Sequence, residues 1–471
     1  MRIVSRIYID GAFVTPHGED AADLVNPATG QVIGRVVLGD IEDARVAIAA
    51  AKRAFPAFSR TGKAERIALL QRLHDAVAPR VPALVDAMVE EYGGPVGQMG
   101  FHVGLAPGSF LTAAKALEDY EFTRRIGSAE VVMEPMGVVG VITPWNSSTG
   151  FICGKLAYAV AAGCTVVIKP SEMSALQTDL LLDALHEAGL PPGVLNVVYG
   201  LGGVVGAEFA AHPDVAKISF TGSTAVGKSI VRAGAETLKR VTLELGGKSP
   251  TVILDDADFA TTVPLAIQAG VANNGQACIA GTRILVPRSR LDEFTAAAAA
   301  VVGGLKVGDP TDPATMIGPL VSAKQWDRVQ GYIAKGIAEG ARVLTGGPGK
   351  PAGLEAGYYV KPTLFADVTN DMTIAREEIF GPVLSIIAYE SDDEAVAIAN
   401  DSPYGLQAYV MGDDPVRARA VGDRLRAGRV LINGVRHEPL APFGGFKQSG
   451  LGREMGVFGL EAHLEPRTVL A

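Results

Sequence analysis

Val138-Val139-Gly140-Val141-Ile142 is a short apolar run, and Thr165-Val166-Val167-Ile168, Asn196-Val197-Val198 and Lys217-Ile218-Ser219-Phe220 repeat its character further along the chain. The segments between them, Gly154 to Ala162, Ala175 to Ala188 and Gly203 to Ala211, have helical composition. Strand and helix therefore alternate, as they do where crossover helices join parallel strands. The expected fold is α/β, with a doubly wound, Rossmann-like parallel sheet that binds a nucleotide.

Upstream, Tyr8 to Val14 and Val32 to Val36 read as short strands, with the turn-rich Asn26-Pro27-Ala28-Thr29-Gly30 between them. Asp40 is a helix cap for Ile41 to Phe55. Lys63 to Glu91 is helical but must break at Pro79 and Pro82, and Phe110 to Tyr120 is a third helical run. Downstream, Thr251 to Leu254, Arg283 to Val286, Leu384 to Ile387, Ala408 to Met411 and Val430 to Ile432 mark a second alternating set. Ile126 to Pro135 and Leu460 to Ala471 are extended but have no place in either sheet. They are expected to pair with each other or with another subunit.

Composition narrows the function classes. The 471 residues suit about three structural units. A net charge of −9 argues against nucleic acid as a partner. No apolar run approaches the ~20 residues of a membrane span, and Met1 to Asp10 lacks a signal-peptide core. The cysteines Cys153, Cys164 and Cys278 form no metal-spaced cluster. The expectation is a cytoplasmic protein in a reducing compartment, with no metal and no membrane partner.

Chemistry concentrates between Leu243 and Arg283. Glu244 opens Glu-Leu-Gly-Gly-Lys, and Cys278, 34 residues on, closes Asn-Asn-Gly-Gln-Ala-Cys. A thiol attacks as its thiolate, in an electropositive and partly open setting, and a carboxylate in the same pocket can activate the water that cleaves a thioester. Alone, such a cysteine is a small buried hydrophobe and such a glutamate a cap. Phe220-Thr221-Gly222-Ser223-Thr224-Ala225-Val226-Gly227 runs from a strand into a helix whose free N–H groups suit either a cap or a phosphate. Lys169-Pro170-Ser171-Glu172 ends another strand, where Glu172 would accept both adenosine ribose hydroxyls and repel a 2′-phosphate, favouring NAD over NADP.

Taken together these segments resemble the aldehyde dehydrogenase superfamily, NAD(P)-dependent enzymes that oxidise aldehydes to acids. The resemblance runs in order through Pro144-Trp145-Asn146, Lys169 to Glu172, Phe220 to Gly227, Glu244 to Lys248, Gly275 to Cys278, Glu377 to Val383 and Pro442 to Lys447. It implies that Cys278 attacks the aldehyde, that Asn146 and the Cys278 N–H hold the oxyanion, and that Glu244 activates water. Lys155 and Glu454 would relay its proton. The cofactor would meet Thr143, Pro144, Trp145, Lys169, Ser171, Glu172, Gly202, Phe220, Gly222, Ser223, Val226, Leu245 and Gly246, with Glu378 and Phe380 at the nicotinamide end. Some relatives with a glutamate at Glu172 also accept NADP.

The resemblance further implies a cofactor-binding domain of residues 1–122 and 137–246, a catalytic domain of 247–440, oligomerisation strands at 123–136 and 457–471, and a return to the cofactor domain over 441–456. A homodimer or homotetramer follows. The substrate tunnel would be lined by Ser147, Phe151, Gly154, Ala277, Ile279, His437 and Phe443. Relatives often follow the asparagine with an aromatic residue and a proline, and often carry an aromatic residue where Gly154 stands. This chain has Ser147-Ser148-Thr149-Gly150, so a wider and more polar funnel is expected. With Arg436 and His437 near its mouth, it suits a bulky or aromatic aldehyde, or a semialdehyde with a distant carboxylate. The competing readings are a dehydrogenase that passes its thioester to coenzyme A, which has no use for Glu244, and a silent relative that only binds.

Overall fold

The structure is a computed structural model that describes residues 1–470; Ala471, the end of the second extended segment, lies outside them. In the larger sheet, Arg240–Glu244, Val215–Thr221, Val138–Ile142, Thr165–Lys169 and Leu195–Val197 lie side by side and parallel. Val138–Ile142 and Thr165–Lys169 are buried at every position, as strands are when helices cover both faces of a parallel sheet. The chain builds outward from Val138–Ile142 through Thr165–Lys169 to Leu195–Val197, then returns to place Val215–Thr221 on its other side. That reversal parts the loops after Ile142 and Thr221, and the crevice between them is where a doubly wound sheet takes its ligand.

Both edges of this sheet are antiparallel additions. Gly450–Leu451 pairs with Leu243 and Glu244 at one edge, and Ile7–Ile9 pairs through Tyr8 with Val197 at the other. The single strand expected over Tyr8 to Val14 is instead a hairpin of Ile7–Ile9 and Ala12–Val14. Asp10 and Gly11 hold φ of 54° and 82°, the left-handed pair that a two-residue hairpin turn requires. The run from Lys63 divides at its prolines into helices Lys63–Val77 and Val81–Tyr92. Helix Val96–Gly104 escaped the sequence reading because Gly97, Gly100 and Gly104 dilute its helical signal.

The second sheet orders Arg342–Thr345, Thr363–Ala366, Val383–Tyr389, Arg283–Pro287, Pro250–Ile253, Gln407–Met411 and Arg429–Ile432, all parallel except at Arg342–Thr345. Thr123–Ile126, Ala129–Pro135 and Leu464–Val469 form a small antiparallel sheet, so the two extended segments pair within one chain. Among the described residues no helix is long and apolar enough to cross a membrane, and no cluster of histidine, cysteine and acidic side chains is placed to hold a metal.

Candidate active site

The strand Arg240–Glu244 ends with its carboxylate buried, and the glycines that follow bring it to the cysteine. A methyl group on Gly247 would lie 2.2 Å from the carbonyl oxygen of Cys278, so only a hydrogen there lets the two loops touch. Cys278 itself follows a turn in which Asn273, Asn274 and Gly275 hold φ of 56°, 58° and 69°. Three left-handed residues in succession, two with side chains, need outside support.

That support is a set of polar side chains not visible as a motif. Tyr92 donates to Asn273 O at 3.0 Å and accepts from Gln276 Nε2 at 3.1 Å. Gln276 in turn accepts from the Val321 N–H, and Asn274 donates to Gly93 O and Pro319 O while accepting from the Gly318 N–H. Asn146 enters the same network: its Nδ2 donates to Gln276 O at 2.9 Å, and its backbone carbonyl accepts from Asn273 Nδ2 at 3.0 Å. One hydrogen of the Asn146 amide is thereby used, and the other is left for a ligand two residues from Cys278.

Electrostatics differ from the expected electropositive setting. Burial, with Glu378 and Glu244 adding negative charge, pushes the half-buried Cys278 thiol up to about 12, although the nearby N–H groups of Cys278 and Ile279 oppose the shift. Glu378 is pushed up to about 7 by burial, partly countered by the Gly247 N–H, which donates to it at 3.0 Å. Glu244 is raised well above the ordinary carboxylate range, first by burial and then by Glu454. Neither of its oxygens accepts a hydrogen bond from the described residues. Burial thus favours the uncharged form of both groups.

Lys155 and Glu454 meet at 2.5 Å, and Ser219, which no motif marks, accepts from Lys155 at 3.0 Å and donates to Glu454 at 3.2 Å. Glu454 is held by a two-bond backbone bridge to Phe443. The group lies within electrostatic reach of Glu244.

The expected cofactor residues flank the crevice. Thr143 and Thr221 sit at its two strand ends, each hydroxyl buried without a partner among the described residues. Lys169 is held by the carbonyls of Pro170 and Gly200, each at 2.8 Å, and reaches the half-buried Glu172 at 3.4 Å. Ser171 caps the turn Glu172–Ser174. Ser223 caps helix Thr224–Gly234 by accepting from the exposed Val226 N–H, and Gly222 leaves room for the Phe220 ring. Gly227 lets this helix press on Leu245. Gly202 opens a helical turn with nothing close to its Cα. Across the cleft, Gly246 lies against the Glu378 carboxylate, and Trp145 packs edge-on to Phe380 at 5.4 Å, with Pro144 before it. Phe380 has φ of 64°, a strain held by Gln325, which donates to its carbonyl at 2.7 Å.

The funnel residues are less uniform. Ser147, Phe151, Gly154, Ala277, Ile279 and Phe443 are half-buried. A methyl on Gly154 would meet only Ser109 Oγ, at 3.9 Å, so the side chain missing there leaves space. His437 is exposed and bonded to Arg429 at 2.7 Å, and burial of its ring by neighbours plus the Arg429 charge pulls it down to about 4. Arg436, the cation expected at the mouth, is exposed and makes no hydrogen bond or ion pair with the described residues. Arg429 takes that place.

Comparison with known proteins bears on this arrangement directly. Residues 13–469 match the aldehyde dehydrogenase family. The chain is 48% identical over 473 residues to a 3-succinoylsemialdehyde-pyridine dehydrogenase of a Pseudomonas species, covering 100% of this chain and 99% of the relative. An aldehyde dehydrogenase C cysteine-to-alanine variant from Pseudomonas syringae, complexed with NAD+ and octanal, superposes with a TM-score of 0.98 at 46% identity, over 99% of this chain and 96% of that one. A Mycobacterium tuberculosis aldehyde dehydrogenase complexed with NAD+ gives 0.97 at 42% identity, over 100% and 98%. With its thiol, carboxylate and amide gathered at one cleft, and with similarity running the length of the chain, this protein belongs to the aldehyde dehydrogenase family.

Proposed function

We propose that the protein oxidises an aldehyde to its carboxylic acid with NAD, through a thioester on Cys278 that water cleaves. The observation that carries this reading is the contact of the Gly247 backbone with Cys278, which sets an unpartnered carboxylate, Glu244, and a half-used amide, Asn146, around one sulfur. Bound in the crevice, NAD supplies the hydride acceptor and a positive ring that offsets the carboxylates around the thiol. The crevice fits it: Thr143 and Thr221 offer buried unpartnered hydroxyls, helix Thr224–Gly234 offers its amino end to phosphate, and Glu172 stands at the ribose end.

The chain's own groups divide the work. Cys278, its proton released to water in the cleft, forms the bond to the carbonyl carbon, and the second Asn146 hydrogen with the Cys278 N–H stabilises the oxyanion of the thiohemiacetal. Glu244 then takes a proton from water as the water attacks the thioester, and Ser219, Lys155 and Glu454 offer that proton an onward path. Glu378 and Phe380 orient the nicotinamide end. NADP is the alternative cofactor.

Further features extend the reading. The named substrate of the Pseudomonas relative, with the room at Gly154, favours a bulky, aromatic or semialdehyde substrate. The half-buried edge strand Arg429–Ile432 and the exposed edges Thr123–Ile126 and Leu464–Val469 favour a dimer or a dimer of dimers. NADH formation across aldehydes of varied size and charge tests the function, and activity persisting in Cys278→Ala would contradict it. A coenzyme A requirement would point to the acylating reading, against which the placement of Glu244 counts.

A further inference from the structure

Arg429 opens the outermost strand of the seven-stranded sheet, and its guanidinium meets His437 and Phe443, two of the residues expected to line the funnel. It donates to His437 Nδ1 at 2.7 Å, to the Glu438 carbonyl at 3.4 Å and to the Met455 sulfur at 3.7 Å, and it lies 4.8 Å over the Phe443 ring. Every one of these partners is neutral. Half-burying a guanidinium without a carboxylate to meet it is costly unless a ligand completes the pairing. Burial accordingly lowers the Arg429 pKa, and Glu244 and Glu438 act on it only across space.

The arginine also fixes the neighbouring histidine. Arginine has donors only, so His437 Nδ1 must accept and the ring proton must sit on Nε2. His437 stays uncharged down to about pH 4 and presents one N–H donor. Tyr409, which shares the Arg429 field, donates to the carbonyl of Ile279, the residue after Cys278. The Tyr409 hydroxyl is spent on that carbonyl, so the donors left for a ligand are those of Arg429 and the His437 Nε2–H.

We propose that Arg429 and His437 read an oxygen acceptor, carboxylate or ketone, at the far end of an aldehyde whose reactive carbon lies at Cys278. This rests on the aldehyde-oxidising reading of the site and names its substrate class. The specificity residue is Arg429, not the exposed Arg436.

The test uses full-length enzyme with NAD and three aldehydes of similar length: succinic semialdehyde, 4-oxopentanal and pentanal. Wild-type kcat/KM favours the oxygenated substrates over pentanal. In Arg429→Met that preference falls about 10- to 100-fold, carried by KM rather than kcat. Arg429→Lys keeps the charge without the fork and loses about three- to tenfold. Collapse for one oxygenated aldehyde alone identifies which acceptor is read. Arg436→Met keeps the preference within about twofold. Thermal unfolding monitors the fold, and His437→Phe, with a smaller loss of the same preference, supplies the reading if Arg429→Met does not fold. An unchanged preference in the Arg429 and His437 variants, with kcat falling equally on all three aldehydes, would overturn the proposal and make Arg429 a counter-ion for Glu244. Wild-type enzyme that forms no NADH from any of the three aldehydes, nor from a wider panel, would instead overturn the function itself.

Discussion

Glu244, buried, and Glu378, half-buried, both press negative charge on Cys278, and glycines stand beside each, yet they are held differently. Glu378 comes from the loop before Val383–Tyr389; it accepts the Gly247 N–H, and its own carbonyl accepts from Arg328. Glu244 ends a strand of the other sheet and has no hydrogen bond to either oxygen among the described residues. A carboxylate fixed by the backbone can orient a ligand, whereas one without a fixed partner can turn, bind water and take its proton. The seam between the two sheets thus carries one acid for holding and one for chemistry.

Substitutions sharpen that contrast in order of size. Cys278→Ala removes the group that both acids face and lowers NADH formation by about 10,000-fold or more, with the fold intact by thermal unfolding. Glu244→Gln lowers kcat by about 100- to 1,000-fold because hydrolysis of the thioester loses its base, while the first turnover survives. Glu378→Gln acts earlier: hydride transfer slows by about tenfold in single-turnover kinetics, and no acyl-enzyme accumulates. Equal kinetic signatures for the two glutamine variants would erase the distinction.

Smaller effects test the scaffold. Tyr92→Phe deletes the hydroxyl that serves Asn273 and Gln276, and it lowers stability by about 1–2 kcal/mol in chemical denaturation. The pH dependence has a definite sign. Glu378 titrates from about 7 when folded against 4.5 in the unfolded chain. Between those values the folded protein keeps a proton that the unfolded chain has lost, so stability falls as pH rises through this window. Glu91, also pushed up to about 7, adds the same sign. His437, pulled down to about 4, contributes the opposite sign over much of this range, so the isolating comparison is Glu378→Gln against wild type: the substitution raises Tm more at pH 7.5 than at pH 5.

The sequence announced the parallel strands because burial on both faces leaves their runs apolar, as in Val138–Ile142, and it announced Glu244 and Cys278 through glycines that the contact between their loops requires. It hid what depends on distant partners. Tyr92 looks like any core aromatic until Asn273 and Gln276 meet it, and Ser219 lies within an ordinary strand. The Asp10-Gly11 pair did carry its hairpin signal, which the alternating residues around it masked. The setting of Cys278 is not local either: burial, with Glu378 and Glu244 arriving from distant segments, disfavours the thiolate, and no short pattern encodes that. Only the folded edge strand sets Arg429 against His437 and leaves Arg436 in solvent, a difference that their sequence neighbours do not carry.

The most direct test mixes Glu244→Gln enzyme with aldehyde and NAD, follows NADH in the first turnover, and weighs the Cys278 peptide after quenching. The account predicts a burst near one NADH per active site and an acyl mass on Cys278 that decays slowly. Slow, linear NADH formation with an unmodified Cys278, or an adduct on Cys153 or Cys164, would contradict it.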